Sequence, residues 1–148
     1  MQFYFNGEQI DLVHMGPAHT AGDAAVLFRG HNAVHMGDVF VTGMYPFIDA
    51  DNGGDLDGVI RFCEAVLQEI NTETVVIPGH GQIAGYTDLV AYLSMLKTIR
   101  GRIVELIEQG ATLEDVIAAN PTAEWDATKG PPGRLLNRAY KSLTRVRH

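Results

Sequence analysis

The spacing of apolar residues changes character once along the chain, near Thr42. Before that point, short apolar runs are separated by turn residues. FYF (3–5) and QIDLVHM (9–15) flank Asn6-Gly7, a pair suited to the left-handed backbone of a tight hairpin turn. AAVLFRG (24–30) and NAVHMGDVFV (32–41) flank Gly30-His31-Asn32 and predict a second hairpin. Between the hairpins, GPAHTAGD (16–23) is rich in Gly, Pro and small polar residues and predicts a loop at the mouth of the strands.

Beyond Thr42, GMYPFIDADNGGD (43–55) predicts a long loop. Val59, Phe62, Cys63, Val66, Leu67 and Ile70 then recur at steps of three and four, one apolar face of a helix over 56–71. TVVIP (74–78) is a short continuous apolar run, which predicts a strand buried on both faces. Leu89, Leu93, Leu96, Ile103, Leu106 and Ile107 mark a long second helix stopped by Gly110. Thr112 and Asp115 have the spacing of a capping box, opening a short helix that ends near Asn120-Pro121. GPPG (130–133) leads into a last helix. Strands followed by helix, strand and helices give an α/β (α+β) arrangement, one layered domain over 1–148 with one sheet.

The 148 residues suffice for a real hydrophobic core, and 46% hydrophobic with 20% charged is ordinary for a globular protein. Eleven basic against 18 acidic residues leave a charge of −7, which argues against nucleic acid or an anionic membrane as partner. Lys129, Arg134, Arg138, Lys141, Arg145 and Arg147 crowd the last twenty residues, and the reading is a solvated helix face. The lone cysteine, Cys63, falls in an apolar helical pattern and reads as a small buried hydrophobe. Neither a signal peptide nor a membrane-length apolar run is visible, so the default expectation is a cytoplasmic protein.

Candidate chemistry sits in three segments: GPAHTAGD around His19, HMGD around Asp38 and VVIPGHG around His80. Each puts a potential metal ligand at a strand end or in the loop beside it. Two imidazoles and a carboxylate suit Zn²⁺, with Fe²⁺ or Mn²⁺ as alternatives. Gaps of 19 and 42 residues fit no local chelate, so spacing alone leaves structural histidines as the commoner reading. His14, His31, His35 and His148 read as surface or core histidines. Asp49, Asp51, Asp55 and Asp57 lack the ordered spacing of a calcium loop and read as helix N-terminal charge.

In order and context, GPAHTAGDAAVLF, HMGDVFV and VVIPGHG resemble the second half of metallo-β-lactamase-fold hydrolases, most of all their beta-lactamase-like and cyclase-like zinc branch. The resemblance runs on through YPFIDADNGG (45–54) and AYLSMLKTIRGRI (91–103). It implies half of an αββα sandwich: one mainly antiparallel sheet with helices packed on one face. It also implies that His19 binds a first metal, that Asp38 bridges two metals and that His80 binds the second. Asp23 and Tyr45 fall around these ligands as supporting residues; for Asp23, a turn aspartate satisfying its own backbone is an equal reading.

The family's His-x-His-x-Asp-His motif precedes the His19-type segment, and no such motif occurs in this chain. Three of the usual seven ligands are therefore retained, and the Asp that orients the attacking water in relatives is missing. Two readings stay open. One is a metal-dependent hydrolase fragment, inactive alone. The other is a non-catalytic binding or structural domain derived from a truncated hydrolase. Either way the sheet face normally covered by the other half would be bare, which implies a homodimer through that face.

Overall fold

The computed structural model describes residues 1–145; Arg147 and His148 lie outside them. Six strands form one sheet whose spatial order equals their order in the chain. They are β1 (Gln2–Phe5), β2 (Glu8–Val13), β3 (Ala25–Phe28), β4 (Ala33–His35), β5 (Val75–Ile77) and β6 (Ala84–Gly85). All neighbours run antiparallel except β4 and β5, which pair in parallel across the long crossover 36–74. The β1–β2 turn is the one that Asn6-Gly7 predicts, with both residues at positive φ (50° and 80°) as a two-residue hairpin of matching twist requires.

Five helices follow: α1 (Leu56–Glu69), α2 (Tyr86–Glu108), α3 (Leu113–Ala119), α4 (Ala123–Lys129) and α5 (Gly133–Thr144). Thr112 and Asp115 form the predicted capping box, each accepting from the other's backbone N–H, and so satisfy donors that a helix start leaves open. Leu27, Val34 and Val76 point to one face of the sheet, where they join Phe62, Cys63, Leu96 and Ile99 of the helices in a single core. The helices thus cover one face only.

On the opposite face, the register aligns Phe3 with Ile10, Ile10 with Phe28, Leu12 with Val26, and Ala33 with Val75. None of these joins the core cluster; Ile10 is itself buried (9% exposed), whereas Phe3, Phe5 and Val75 are 40%, 64% and 41% exposed. The expected strand over 74–78 is therefore not buried on both faces. Val76 is fully buried, but Val75 looks out on the open side.

A second difference lies at 32–41. The strand stops at His35 and the chain turns through a short 3-10 segment, Gly37–Val39. Gly37 adopts a φ of 54°, and its N–H donates to His35 Nδ1 at 3.1 Å, so the turn is closed by a side chain rather than a ladder bond. No pattern in the sequence announces β6 or α4. β6 is two residues long, too short for any periodicity, and α4 has no fully buried residue to reveal an apolar face.

Candidate metal centre

Three connections meet at one end of the sheet, beyond the C-terminal ends of β4 and β5. The 16–24 loop brings His19, the 3-10 turn after β4 brings Asp38, and the turn after β5 brings His80. His19 Nε2 lies 3.6 Å from Asp38 Oδ2, and His80 Nε2 lies 3.2 Å from Asp38 Oδ1. One carboxylate thus presents a different oxygen to each imidazole. Among the described residues, no group of three or more His, Cys, Asp or Glu side chains is close enough to hold one ion. The arrangement is two His–Asp pairs sharing Asp38.

Backbone packing explains why Asp38 and His80 meet. Gly79 N–H donates to the carbonyls of Gly37 (2.8 Å) and Phe40 (3.0 Å), and Thr42 N–H donates to His80 O at 3.1 Å. These bonds seal the turn after β5 onto the turn after β4. Such an approach excludes any side chain at position 79, where a Cβ would run into Asp38 Oδ1 and the Gly37 backbone.

The two histidines are held differently. His19 Nδ1 lies 2.5 Å from the Phe47 carbonyl, which can only accept. Nδ1 therefore carries the proton and donates, leaving Nε2 to face Asp38. The loop itself is bonded into 49–55 by Asp49 N–H to His19 O (2.8 Å), Asp55 N–H to Ala18 O (2.8 Å) and Ala21 N–H to Asn52 O (3.0 Å). The His19 side chain is 17% exposed, whereas that of His80 is 63% exposed.

A carbonyl that fixes the tautomer, with the other nitrogen aimed at a carboxylate, is the environment that suits an imidazole ligand to a borderline divalent ion. The donor set fits such an ion at either pair, but supplies fewer than the three protein ligands that a catalytic zinc takes.

Asp23 does not touch the His19 ring. Its oxygens accept from Thr20 N–H (2.7 Å) and Thr20 Oγ1 (3.3 Å), closing the loop next to His19. Tyr45 lines the cleft with its ring, while its hydroxyl donates to Asp126 Oδ1 (2.8 Å) and Thr122 O (3.2 Å). Burial, then the bond to Asp126, raises its pKa and keeps it protonated. His14 Nδ1 meets Asp23 O at 2.6 Å, and His31 pairs with Glu8 at 2.9 Å, both at the surface.

Of the aspartates between 49 and 57, Asp49 accepts from Asn52 N–H to cap a short turn, and Asp57 pairs with Arg100 at 2.6 Å in the first turn of α1. Asp51 receives Arg138 and Lys141. That last contact corrects the reading of the basic strip as a solvated face. Arg138 and Lys141 hold Asp51, and Arg145 donates to the carbonyls of Ala50 and Gly54, so the strip fastens α5 to the 49–55 loop.

Around His19, Asp38 and His80 lies a cleft of about 390 Å³, walled by Val41, Met44, Tyr45 and Phe47 and completed by Arg134. The strip signal contained Arg134 but could not place it here, because periodicity does not say where a helix docks.

No family model and no curated protein matches the sequence. Solved structures do match. A metallo-beta-lactamase from Pontibacter korlensis is 22% identical, with a TM-score of 0.57 over 66% of this chain and 45% of its own. BLEG-1, a B3 metallo-beta-lactamase, is 16% identical with a TM-score of 0.54 over 64% of this chain and 44% of its own. The stereoselective inverting sec-alkylsulfatase Pisa1 from Pseudomonas sp. is 18% identical, with a TM-score of 0.65 over 95% of this chain and 22% of its own. The fold is that of part of a metallo-β-lactamase domain, and the chain spans less than half the length of each of these proteins. No described helix is long and apolar enough to cross a membrane.

Proposed function

We propose that this chain is the part of a metal-dependent hydrolase that carries His19, Asp38 and His80, and that it needs further ligands from outside these residues before it can turn over substrate. The observation that carries this reading is the single carboxylate addressed by two imidazoles through different oxygens, with His19 locked by the Phe47 carbonyl. A bound divalent ion supplies a Lewis acid and a water that ionises near neutral pH. The chain's own residues do the remaining work. Phe47 orients His19, Gly79 leaves room for Asp38, and the apolar walls of the cleft limit water around a bound molecule. Zinc is the first choice for two imidazoles and a carboxylate, with iron or manganese as alternatives.

Calorimetric titration of zinc into metal-free protein tests the reading. Binding at about one ion per chain or less, weaker than a complete site and lost in Asp38→Ala, is the expected result. Zinc binding unchanged in both His80→Ala and Asp38→Ala would overturn it. With zinc alone the chain should give no hydrolysis of lactam, thioester or phosphodiester reporters above background.

A second reading, a non-catalytic domain that pairs with its own copy, is favoured by one observation. The open sheet face carries Phe3, Leu12, Val26, Phe28, Ala33 and Val75, none of them fully buried and none packed into the helix-covered core. Across β1 to β5, four inter-strand gaps of about 4.8 Å make it roughly 19 Å wide, enough to form the apolar centre of an interface of about 800 Å² per partner. A two-fold axis would lay this face on itself, sheet on sheet. Dimerisation and a hydrolytic lineage are compatible, since the same face carries neither His19 nor His80.

A further inference from the structure

We propose that Arg134 recognises an anionic group on the molecule that enters this cleft, holding a carboxylate, sulfate or phosphate oxyanion while the bond to be broken lies toward Asp38 and His80. The location rests on the hydrolase reading above; the anion selectivity rests on Arg134 itself.

Seven arginines lie among the described residues, and six have an acceptor. Arg29 holds Asp11 and Glu69, Arg61 holds Asp55, Arg100 holds Asp57, Arg102 holds Glu124, Arg138 holds Asp51, and Arg145 holds backbone carbonyls. Arg134 alone among them has neither a carboxylate nor a carbonyl within bonding distance, and it is also the one arginine or lysine that lines the cleft. Its guanidinium carbon sits 4.8 Å from the centroid of the Phe47 ring. The guanidinium thus rests against an aromatic ring while no acceptor occupies its N–H groups, which can take up an oxyanion with two parallel bonds.

Charge makes the vacancy selective. Arg138 stands four residues on along α5 and lies over the same ring, 5.2 Å from its centroid, but its guanidinium is engaged by Asp51, which it shares with Lys141. Nothing described neutralises Arg134. In a chain of net charge −7 an anionic ligand is repelled by most of the surface, so an unpaired guanidinium beside the candidate centre is where it can be held.

Arg134 and Phe47 also border a second, shallower cleft of about 240 Å³ that includes Asn137. The guanidinium therefore stands on the partition between the two. Phe47 ties the parts together: its carbonyl sets His19 and its ring carries Arg134.

Nitrogen-labelled, metal-free protein titrated with phenylphosphonate, benzoate and the neutral benzamide, read at the Arg134 Nε–Hε resonance, tests the proposal. Both anions should shift that signal and bind at least about tenfold more tightly than benzamide, as a charge-assisted bidentate contact requires. Arg134→Ala should lose about tenfold or more in anion affinity and Arg134→Lys should recover part of it, a point charge replacing the fork. Arg134 is exposed and makes no hydrogen bond, so thermal unfolding and zinc titration of Arg134→Ala should match the parent. Equal anion binding by the parent and Arg134→Ala, or equal binding of benzamide and benzoate, would overturn the assignment. Should the parent take up no zinc yet bind both anions through Arg134, the hydrolase reading falls and this one stands.

Discussion

On β3, Leu27 turns toward the helices and is 3% exposed, whereas its neighbours Val26 and Phe28 turn the other way and keep part of their surface in water. The same contrast divides β4, where Val34 is fully buried and Ala33 is not, and β5, where Val76 is buried and Val75 is 41% exposed. Both faces are written in apolar residues, yet only one has a cover. An apolar face without a cover still obeys strand periodicity, because its side chains alternate with those that pack. The lesson is that continuous apolar runs such as VVI and AVLF do not by themselves show that a sheet is buried on both faces within this chain.

Placing the same charge on adjacent residues of β4 gives the sharpest test of that contrast. Val34→Asp should cost about 4 kcal/mol or more, since an ionised carboxylate would have no partner in the core, and should leave the chain largely unfolded. Ala33→Asp should cost about 1 kcal/mol. Cys63 offers the readout beside a thermal melt. It is fully buried on the helical side, burial pushes its thiol pKa up, and it should resist thiol reagents in the parent and in Ala33→Asp but react in Val34→Asp. Equal damage at both positions would mean that the open face is covered after all.

Next in size is self-association. The parent should sediment as a dimer at micromolar concentration, and Val26→Lys, at the middle of the open face, should raise the dissociation constant about 30-fold or more with little change in monomer stability. A parent that stays monomeric and binds no hydrophobic dye would remove the case for a homodimer.

The smallest expected effect is on the covered side and concerns acid. Hydrogen bonds from Lys141, then Arg138, lower the Asp51 pKa to about 2, below the value near 3.9 of an unfolded aspartate. A depressed carboxylate stabilises the fold above the unfolded value, and the contribution is lost as pH falls through the folded one. The tether between α5 and the 49–55 loop should therefore weaken between about pH 4 and pH 2, seen as faster amide exchange in α5, and high salt should mimic part of the change. Asp51→Asn should remove the pH dependence in that window. If α5 exchanged at the same rate across it, Asp51 would not be the tether.

Much of the fold was legible because its signals are local. Asn6-Gly7 needs only two residues to declare a turn, Thr112 and Asp115 need four, and the α1 face repeats along its own helix. The three candidate ligands were legible only through likeness of their surrounding motifs, since the spacing of His19, Asp38 and His80 carries no chelate signature. What fixes His19 was not legible at all. Its partner is the carbonyl of Phe47, and every residue has a carbonyl. Arg134 was visible as one of six clustered basic residues, but its place in the cleft depends on how α5 docks, which no periodicity along α5 records. The strand expected to run through Asp38 failed for a related reason: the Gly37 turn and the His35 cap compete with a β pattern that by itself looked unbroken.

The parallel pairing of β4 with β5 has a consequence for the order in which the molecule can assemble. The other strand pairings join segments separated by short connections, which cost little chain entropy to close. β4 and β5 meet only after residues 36–74 have looped back, carrying α1 with them. Gly79 reaches Gly37 and Phe40 at that closure, and His80 then reaches Asp38. A chain that had zipped both hairpins but not closed the crossover would therefore possess most of its sheet without the meeting of His19, Asp38 and His80.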